Sequence, residues 1–362
     1  MNRLRELLGN LQQKESLRAF KPVLGAVESF LFGSPELTTA PPHILSTLDT
    51  RRYMLMVVLA LIPTTLASVY FYGWRAVVMI LVSYLAAGIT EMLFAIFRQR
   101  KMQLGALAVT GLMFPLVLPP TLPLWMVALG SVFGIVFGKE VFGGTGRNIF
   151  NPALVGRIFL TAAFPNFMSA MWQKPLAGGL AGFLRYQADF VTAATPLISH
   201  RAGEAVTHSY FQLLFGEVPG SLGETFRLGI IIGGIFLMII KVADWRIPVS
   251  FLGSVVVFSA VGHYFLPGQI APPLFQLLTG ALLFTALFMA TDPVTSPFTG
   301  AGKWFFGIML GFLTIIFRAF SGYVEGAAFG LLMANALAPL LDTVVLKVGF
   351  STSKKKGLSG NV

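Results

Sequence analysis

The chain has 362 residues, the length of two or three ordinary soluble domains, but its composition is not that of a soluble protein. It is 55% hydrophobic and only 11% charged, and so few charges could not cover a soluble surface of this size. The net charge is +11, yet the basic residues cluster at the ends of apolar runs, which indicates membrane topology rather than nucleic-acid binding. The chain has no cysteine, which excludes an iron–sulfur cluster or a thiolate metal site of its own.

Apolar runs follow one another along the chain in two groups of five. They span residues 53–74, 76–97, 104–118, 122–137 and 153–172, and then 228–240, 247–265, 274–290, 304–317 and 327–348. About 20 apolar residues cross a bilayer as a helix, and shorter runs are broken helices or half-helices. We therefore predict an all-α polytopic membrane protein with about ten transmembrane helices.

The basic residues between the runs predict the orientation. With a cytoplasmic N-terminus, basic clusters such as Arg98–Arg100–Lys101 and Lys354–Lys356 lie inside, as the positive-inside rule requires. Five segments follow: a cytoplasmic N-terminal segment, a first transmembrane half, an extracytoplasmic loop, a second transmembrane half and a basic cytoplasmic tail, at residues 1–50, 51–172, 173–226, 227–349 and 350–362. Both termini are predicted to be cytoplasmic.

The odd number of spans in each group indicates an inverted repeat, because the second half then starts from the opposite side of the membrane. Thr110–Gly111 in the third run and Thr279–Gly280 in the eighth are both followed by proline. Such interrupted helices surround the central site of inverted-repeat transporters. A secondary transporter or channel without a redox cofactor is therefore one interpretation of the whole chain.

The predicted outer loop contains a segment of small and polar residues from Asp189 to Thr195. From the residues alone, Thr192 or Thr195 could cap the helix that follows. The segment also matches the flavinylation motif Asp-x-x-(Ser/Thr)-Gly-Ala-Thr, with Ala193 in place of the usual glycine.

Further motifs extend this resemblance over nearly the whole chain from residue 40. Segments 138–148, 151–154, 220–225, 289–294 and 335–342 resemble the B subunit of the sodium-translocating NADH:quinone oxidoreductase (Nqr). The D subunit of the Rnf complex is a close relative that shares most of these motifs. The resemblance implies a flavin-carrying membrane subunit of an Nqr- or Rnf-type redox complex in the bacterial inner membrane. Partner subunits would supply the dehydrogenase site.

In that family an exported flavin transferase attaches FMN through its phosphate to the last threonine of the motif. The resemblance therefore implies a covalent FMN on Thr195, within a motif that includes Asp189, Thr192 and Ala194. Arg227 is predicted on the same side of the membrane, where it could face the FMN phosphate or extend to lipid headgroups.

The resemblance also implies a second, non-covalent flavin, riboflavin, near the glycine-rich loop 142–148. This loop lacks the Lys-Ser/Thr ending of a phosphate-binding P-loop. Asn148 and Asn151 are the predicted partners, since amide side chains match the donors and acceptors of an isoalloxazine ring.

Three carboxylates are candidates for an ion or proton pathway. Asp292 lies at the break after the eighth run, Asp342 lies near the end of the last run, and Glu140 lies beside Lys139. The four histidines are scattered, so no metal site is predicted. Residues 102–105 lack the carboxylate that the B subunit of Nqr carries before its third helix, which leaves Nqr versus Rnf and Na⁺ versus H⁺ open.

Overall fold

The structure, a computed structural model, describes residues 24–25, 50–100, 102–175, 194–203, 209–216, 218–323 and 325–359, with side chains as far as residue 349. Within these ranges the chain forms helices and loops without a β-strand, which confirms the predicted all-α class there. Most of the predicted N-terminal segment, much of the predicted outer loop, and Asp189 and Thr192 within it lie outside the described residues.

The first predicted half contains six helices. A sharp turn at Gly73, which has a φ of +63°, separates the first two long helices. The helices are α1 (Thr50–Tyr72), α2 (Trp74–Arg98), α3 (Leu104–Leu116), α4 (Leu124–Ile135, continued by a π-helical turn at Val136–Glu140), α5 (Pro152–Ala163) and α6 (Pro165–Ala170).

Two short helices lie in the predicted outer loop, and six follow it. The outer pair is α7 (Pro196–Arg201) and α8 (Tyr210–Phe215). The others are α9 (Arg227–Ile239), α10 (Arg246–Phe265), α11 (Pro273–Leu278), α12 (Leu282–Phe284, continued by a π-helical turn at Thr285–Met289), α13 (Gly300–Phe320) and α14 (Gly326–Ser359).

Five of the described helices are long and apolar enough to cross a membrane: α1, α2, α10, α13 and α14. Three shorter apolar helices, α3, α5 and α9, have 12 or 13 residues. Large apolar side chains such as Leu66 and Leu85 are exposed on α1 and α2, as expected of surfaces that face lipid. The arrangement of about ten spans in two inverted halves stays a prediction.

Packing follows a similar order on both sides of the outer loop. In the first part, α2 packs on α4 and α4 packs on α5. In the second, α10 packs on α13 and α13 packs on α14, while α1 packs on α9 across the two parts. The buried core contains Phe114, Phe251, Phe284 and Phe306 from α3, α10, α12 and α13.

The two Thr–Gly pairs do not have the same structure. Thr279 and Gly280 separate α11 from α12, and Gly280 has a φ of +67° that favours glycine. Thr110 and Gly111 instead lie inside α3, where Gly111 lets the ring of Tyr84 approach the helix. The break in the helix of the first half comes later, at residues 117–123. Pro119 and Pro120 lie there, after the end of α3.

Candidate functional site

A cavity of about 180 Å³ contains the predicted flavin acceptor, and it is called the outer cavity because the predicted outer loop supplies part of its wall. It is lined by residues of α5 and α6, the start of α7, the loop 219–224, the helix break at Gly280 and the loop before α14. Thr195, Arg157, Arg227, Glu224 and Glu325 are among its lining residues.

Thr195 is the N-cap residue of α7. Its Oγ1 accepts a hydrogen bond from the Ile198 amide at 3.4 Å, and Pro196 occupies the first helical position, which needs no amide donor. The capping interpretation of Thr195 is therefore confirmed. The side chain is half-buried, and the neighbouring Ala194 is exposed.

The loop 220–225 is fixed against the end of α3. The Leu222 amide donates to the Leu118 carbonyl at 3.1 Å, and the Gly223 amide donates to the Leu116 carbonyl at 2.6 Å. A Cβ on Gly223 would lie 2.9 Å from the Leu116 Cβ, which is too close for any larger residue without a shift. Glycine at this position therefore lets the two backbones meet.

Glu224 is held by this loop with only half of its carboxylate satisfied. The side chain is 3% exposed. Its Oε2 accepts hydrogen bonds from the Ser221 amide at 2.9 Å and the Ser221 hydroxyl at 2.7 Å. Its Oε1 is buried and has no hydrogen-bond partner among the residues that the structure describes. Sequence reasoning found the motif but did not single out this side chain.

Arg157 has the carboxylate partner that its place within an apolar run requires. It is 3% exposed, and its Nη2 lies 2.6 Å from Glu325 Oε2. Glu325 Oε1 also accepts a hydrogen bond from the Ala281 amide at 2.9 Å, just after the helix break. Glu325 was not predicted as a site residue because it is distant from Arg157 in sequence and lies in a short polar loop.

Arg227 does not extend to the surface, so the headgroup alternative is wrong for this side chain. It is 2% exposed, and its Nη1 donates to the Leu213 carbonyl at the end of α8. Its Nε is buried without a hydrogen-bond partner in the described part of the chain. The structure therefore brings Arg227 and Thr195 to one cavity.

A second cavity of about 70 Å³, called the inner cavity because it borders predicted cytoplasmic connections, brings together three other predicted residues, Asn148, Asn151 and Asp292. Asn151 caps α5, with its Oδ1 accepting from the Ala153 amide at 3.0 Å. Asn148 donates to the Phe150 carbonyl at 3.1 Å and accepts from the Gly146 amide at 3.3 Å. The internal bonds orient both amide side chains at the cavity wall.

Glu140 and Asp342 do not line the inner cavity. Glu140 lies 3.3 Å from Arg98 in a separate polar cavity of about 160 Å³, where the adjacent Lys139 pairs with Glu91 at 2.5 Å. Sequence reasoning did not single out Glu91, which is a lone acidic residue in an apolar helix.

Asp342 has a structural set of partners. It accepts hydrogen bonds from the Phe298 and Thr299 amides, both at 3.0 Å, and from the Thr299 hydroxyl. These contacts tie α14 to the residues that precede α13. In the described part of the chain, no group of three histidine and acidic residues could hold a metal ion.

The family of the chain is shown by its similarity to a known sequence model. The sequence model of the NQR2, RnfD, RnfE family matches residues 37–351. The chain belongs to this family. Its family motifs border the two cavities, since segment 220–225 includes outer-cavity residues and segment 289–294 includes inner-cavity residues.

Relatives of this NQR2/RnfD/RnfE family member are named as subunits of two types of complex. The chain is 34% identical to the D subunit of the ion-translocating oxidoreductase complex of Aeromonas hydrophila, over 85% of this chain and 96% of that protein. It is 38% identical to the B subunit of the Na(+)-translocating NADH-quinone reductase of Yersinia pestis, over 81% of this chain and 70% of that protein. The corresponding B subunit of Pseudomonas aeruginosa is 34% identical, over 90% and 91%. The similarity does not separate the two types.

Proposed function

We propose that this chain is the flavin-carrying membrane subunit of an Nqr- or Rnf-type complex, in which electron transfer through a covalent FMN is coupled to Na⁺ or H⁺ transport. Family membership and the names of relatives support the subunit of an ion-translocating oxidoreductase. One observation carries the cofactor proposal: Thr195 lines a cavity together with buried arginines and a half-satisfied carboxylate.

The outer cavity fits a flavin phosphate ester in three respects. The Thr195 Oγ1 accepts the capping hydrogen bond from the Ile198 amide, and the same oxygen can still accept it when it is part of a phosphate ester. Arg227, whose Nε has no partner in the described chain, offers positive charge to a phosphodiester anion, whereas the charge of Arg157 is paired with Glu325. Buried polar atoms of Glu224 and Arg227 lack partners in the described chain, so the wall has hydrogen-bonding capacity left for a ligand.

A bound isoalloxazine ring supplies the one- and two-electron chemistry, and the protein supplies position and electrostatics. In this proposal Thr195 holds the cofactor covalently, and the Arg157–Glu325 pair fixes one wall of the cavity. The proposed orientation, with both termini cytoplasmic, places this cavity on the extracytoplasmic side. A flavin transferase exported to that side is the proposed maturation partner.

We assign a non-covalent riboflavin to the inner cavity. Asn151 uses its Oδ1 in the helix cap, which leaves its Nδ2 group as the side chain's donor toward a ring carbonyl. Asp292 lines the same cavity, so the proposed ion carboxylate and the proposed second flavin site adjoin. This shared wall favours Asp292 over Glu140 and Asp342 as the group that couples cation movement to redox change.

The covalent cofactor is tested on the complex purified from cells that express the flavin transferase. A denatured band of this subunit should fluoresce under ultraviolet light, and Thr195→Asn should abolish the fluorescence. Asparagine is a good N-cap residue, so this variant removes the hydroxyl while keeping the cap. Thr161→Val is the matched control, since it removes another threonine hydroxyl from the same cavity. A dark wild-type band, or a fluorescent Thr195→Asn band, contradicts the proposal.

A further inference from the structure

The proposed function uses Glu224 of segment 220–225 only as unassigned hydrogen-bonding capacity in the cavity wall. We propose that Glu224 is a flavin-recognition residue, whose Oε1 accepts a hydrogen bond from the N3–H group of the isoalloxazine ring in the outer cavity. This inference rests on the proposed covalent FMN. It specifies which edge of the isoalloxazine ring contacts the wall of the outer cavity.

Glu224 has an unmet requirement for a donor. Its Oε2 takes both donors of Ser221, and its Oε1 is buried with no partner among the described residues, in a side chain that lines the cavity. A buried carboxylate oxygen without a donor is energetically unfavourable. A ligand that presents a hydrogen-bond donor removes that cost, and therefore gains affinity at this point of the wall.

The pyrimidine edge of a flavin matches this wall. It presents one donor, N3–H, between two carbonyl acceptors. Glu224 supplies the acceptor, while Arg157, which lines the same cavity, carries only donors. The N3–H donor of the ring, which lies between two carbonyl acceptors, therefore pairs with the Glu224 acceptor, which has arginine donors near it.

The loop geometry keeps the Glu224 carboxylate in place before any ligand binds. The two backbone hydrogen bonds from Leu222 and Gly223 to α3 fix the loop, and the Thr225 hydroxyl donates to the Ser221 carbonyl at 3.0 Å. Such preorganisation is what a recognition group needs, because little side-chain freedom remains to be lost on binding.

Glu224→Gln tests the assignment with almost no change in shape. The Ser221 amide can only donate, so it retains the amide oxygen of the new side chain, and the NH₂ group turns toward the cavity. A donor then faces the N3–H donor of the ring. The variant therefore reverses the hydrogen-bond polarity at this one point and also removes a negative charge beside the ring.

The readouts are the midpoint potential of the covalent flavin and its deuterium-sensitive N3–H vibrational bands, measured in the purified complex. We expect Glu224→Gln to keep the fluorescent subunit band, to shift the N3–H bands and to move the midpoint potential to a more positive value. The potential rises because a carboxylate next to the ring opposes electron addition. An unchanged potential together with unchanged N3–H bands overturns the assignment.

Ser221→Ala provides a second variant that leaves Glu224 in place. It removes the hydroxyl contact of Oε2 and keeps the amide contact, so more charge resides on Oε1 and the N3–H bands should shift in the opposite direction to those of Glu224→Gln. Equal band positions in Ser221→Ala and wild type also contradict the assignment. Asp244→Asn, which removes a carboxylate bonded to Lys303 in the α9–α10 loop, should change neither readout.

The results separate this inference from the function on which it rests. A dark wild-type subunit band removes the covalent flavin itself. A fluorescent wild-type band with spectra that do not respond to either Glu224→Gln or Ser221→Ala leaves the covalent flavin in place and removes only the role of Glu224.

Discussion

Arg157 and Glu325 are 168 positions apart in sequence, yet their side chains meet with Nη2 and Oε2 separated by 2.6 Å. The same carboxylate accepts from the Ala281 amide through its other oxygen. One side chain therefore connects α5, the start of α12 and the loop before α14. These are three of the elements that line the outer cavity.

Glu325→Gln should destabilise the protein by about 3 kcal/mol, because it leaves the buried Arg157 charge without its partner. The amide oxygen can still accept from the Ala281 amide, so the effect reports mainly on the lost ion pair. The measurement is the apparent Tm of the detergent-purified protein. An unchanged Tm would contradict a structural role for the pair.

Asp244→Asn is the matched control for that experiment. The Asp244–Lys303 pair has a distance of 2.8 Å but is partly exposed, so its loss should cost no more than about 1 kcal/mol.

Burial alone raises the pKa of Asp244, but the hydrogen bonds from Lys303 and the Arg246 amide outweigh it and lower the pKa. The small stabilisation is therefore present above the ordinary aspartate pKa and is lost as pH falls through the lowered value.

The Lys139–Glu91 pair should behave as a coupled unit. Glu91→Leu and Lys139→Met each leave one buried charge unpaired, and each should lower stability by about 3 kcal/mol. The double variant should be less destabilised than the sum of the two, since it removes both charges together. Thermal unfolding of the three variants measures the coupling, and strict additivity would show that the two charges act independently.

Gly280→Ala should impair folding at the break between α11 and α12. The backbone at Gly280 has a φ of +67°, and an added Cβ would lie 2.8 Å from atoms of both Arg318 and Glu325. The left-handed conformation alone costs a non-glycine residue about 1 kcal/mol. Gly253→Ala is the control, because its Cβ would meet no atom within 4 Å and alanine favours the helix α10. Opposite shifts of the apparent Tm are expected, and equal shifts would contradict the strain at Gly280.

Asp292→Asn and Asp342→Asn should have different effects. Asp292 lines the inner cavity, so its variant should weaken the Na⁺ or pH dependence of the complex's turnover while the subunit stays assembled. Asp342→Asn places an NH₂ group against one of the donors from residues 298–299, so it should lower stability by about 1–3 kcal/mol. Retention of normal cation dependence by Asp292→Asn would remove Asp292 from the ion pathway.

The helical class and most helix positions follow from the apolar runs, because lipid requires every spanning backbone group to be bonded within its helix. The places where helices change geometry were harder to predict. The π-helical turn at Thr285–Met289 lies inside the apolar run 274–290, and the one at Val136–Glu140 crosses the end of the run 122–137. Gly111 and Gly280 look alike in sequence, yet Gly111 lies inside a helix against Tyr84 and Gly280 lies at a helix break with a φ of +67°.

Sequence motifs singled out Thr195 and the amide pair Asn148 and Asn151 as predicted cofactor residues, since each lies in a recognisable segment. They did not locate Glu325 or Glu91, which become important only through partners far away in sequence. Long-range ion pairs of this kind leave no local signal. The need of Arg157 for a partner could be predicted from its apolar surroundings, but the identity of that partner could not.

The most direct test of the central claim is mass spectrometry of the tryptic peptide spanning residues 186–201, taken from the complex matured in cells that express the flavin transferase. The proposal predicts a mass increase of about 440 Da for a phosphate-linked FMN, with fragment ions that place it on Thr195. A peptide of unmodified mass, or a flavin placed on any other residue, would contradict it.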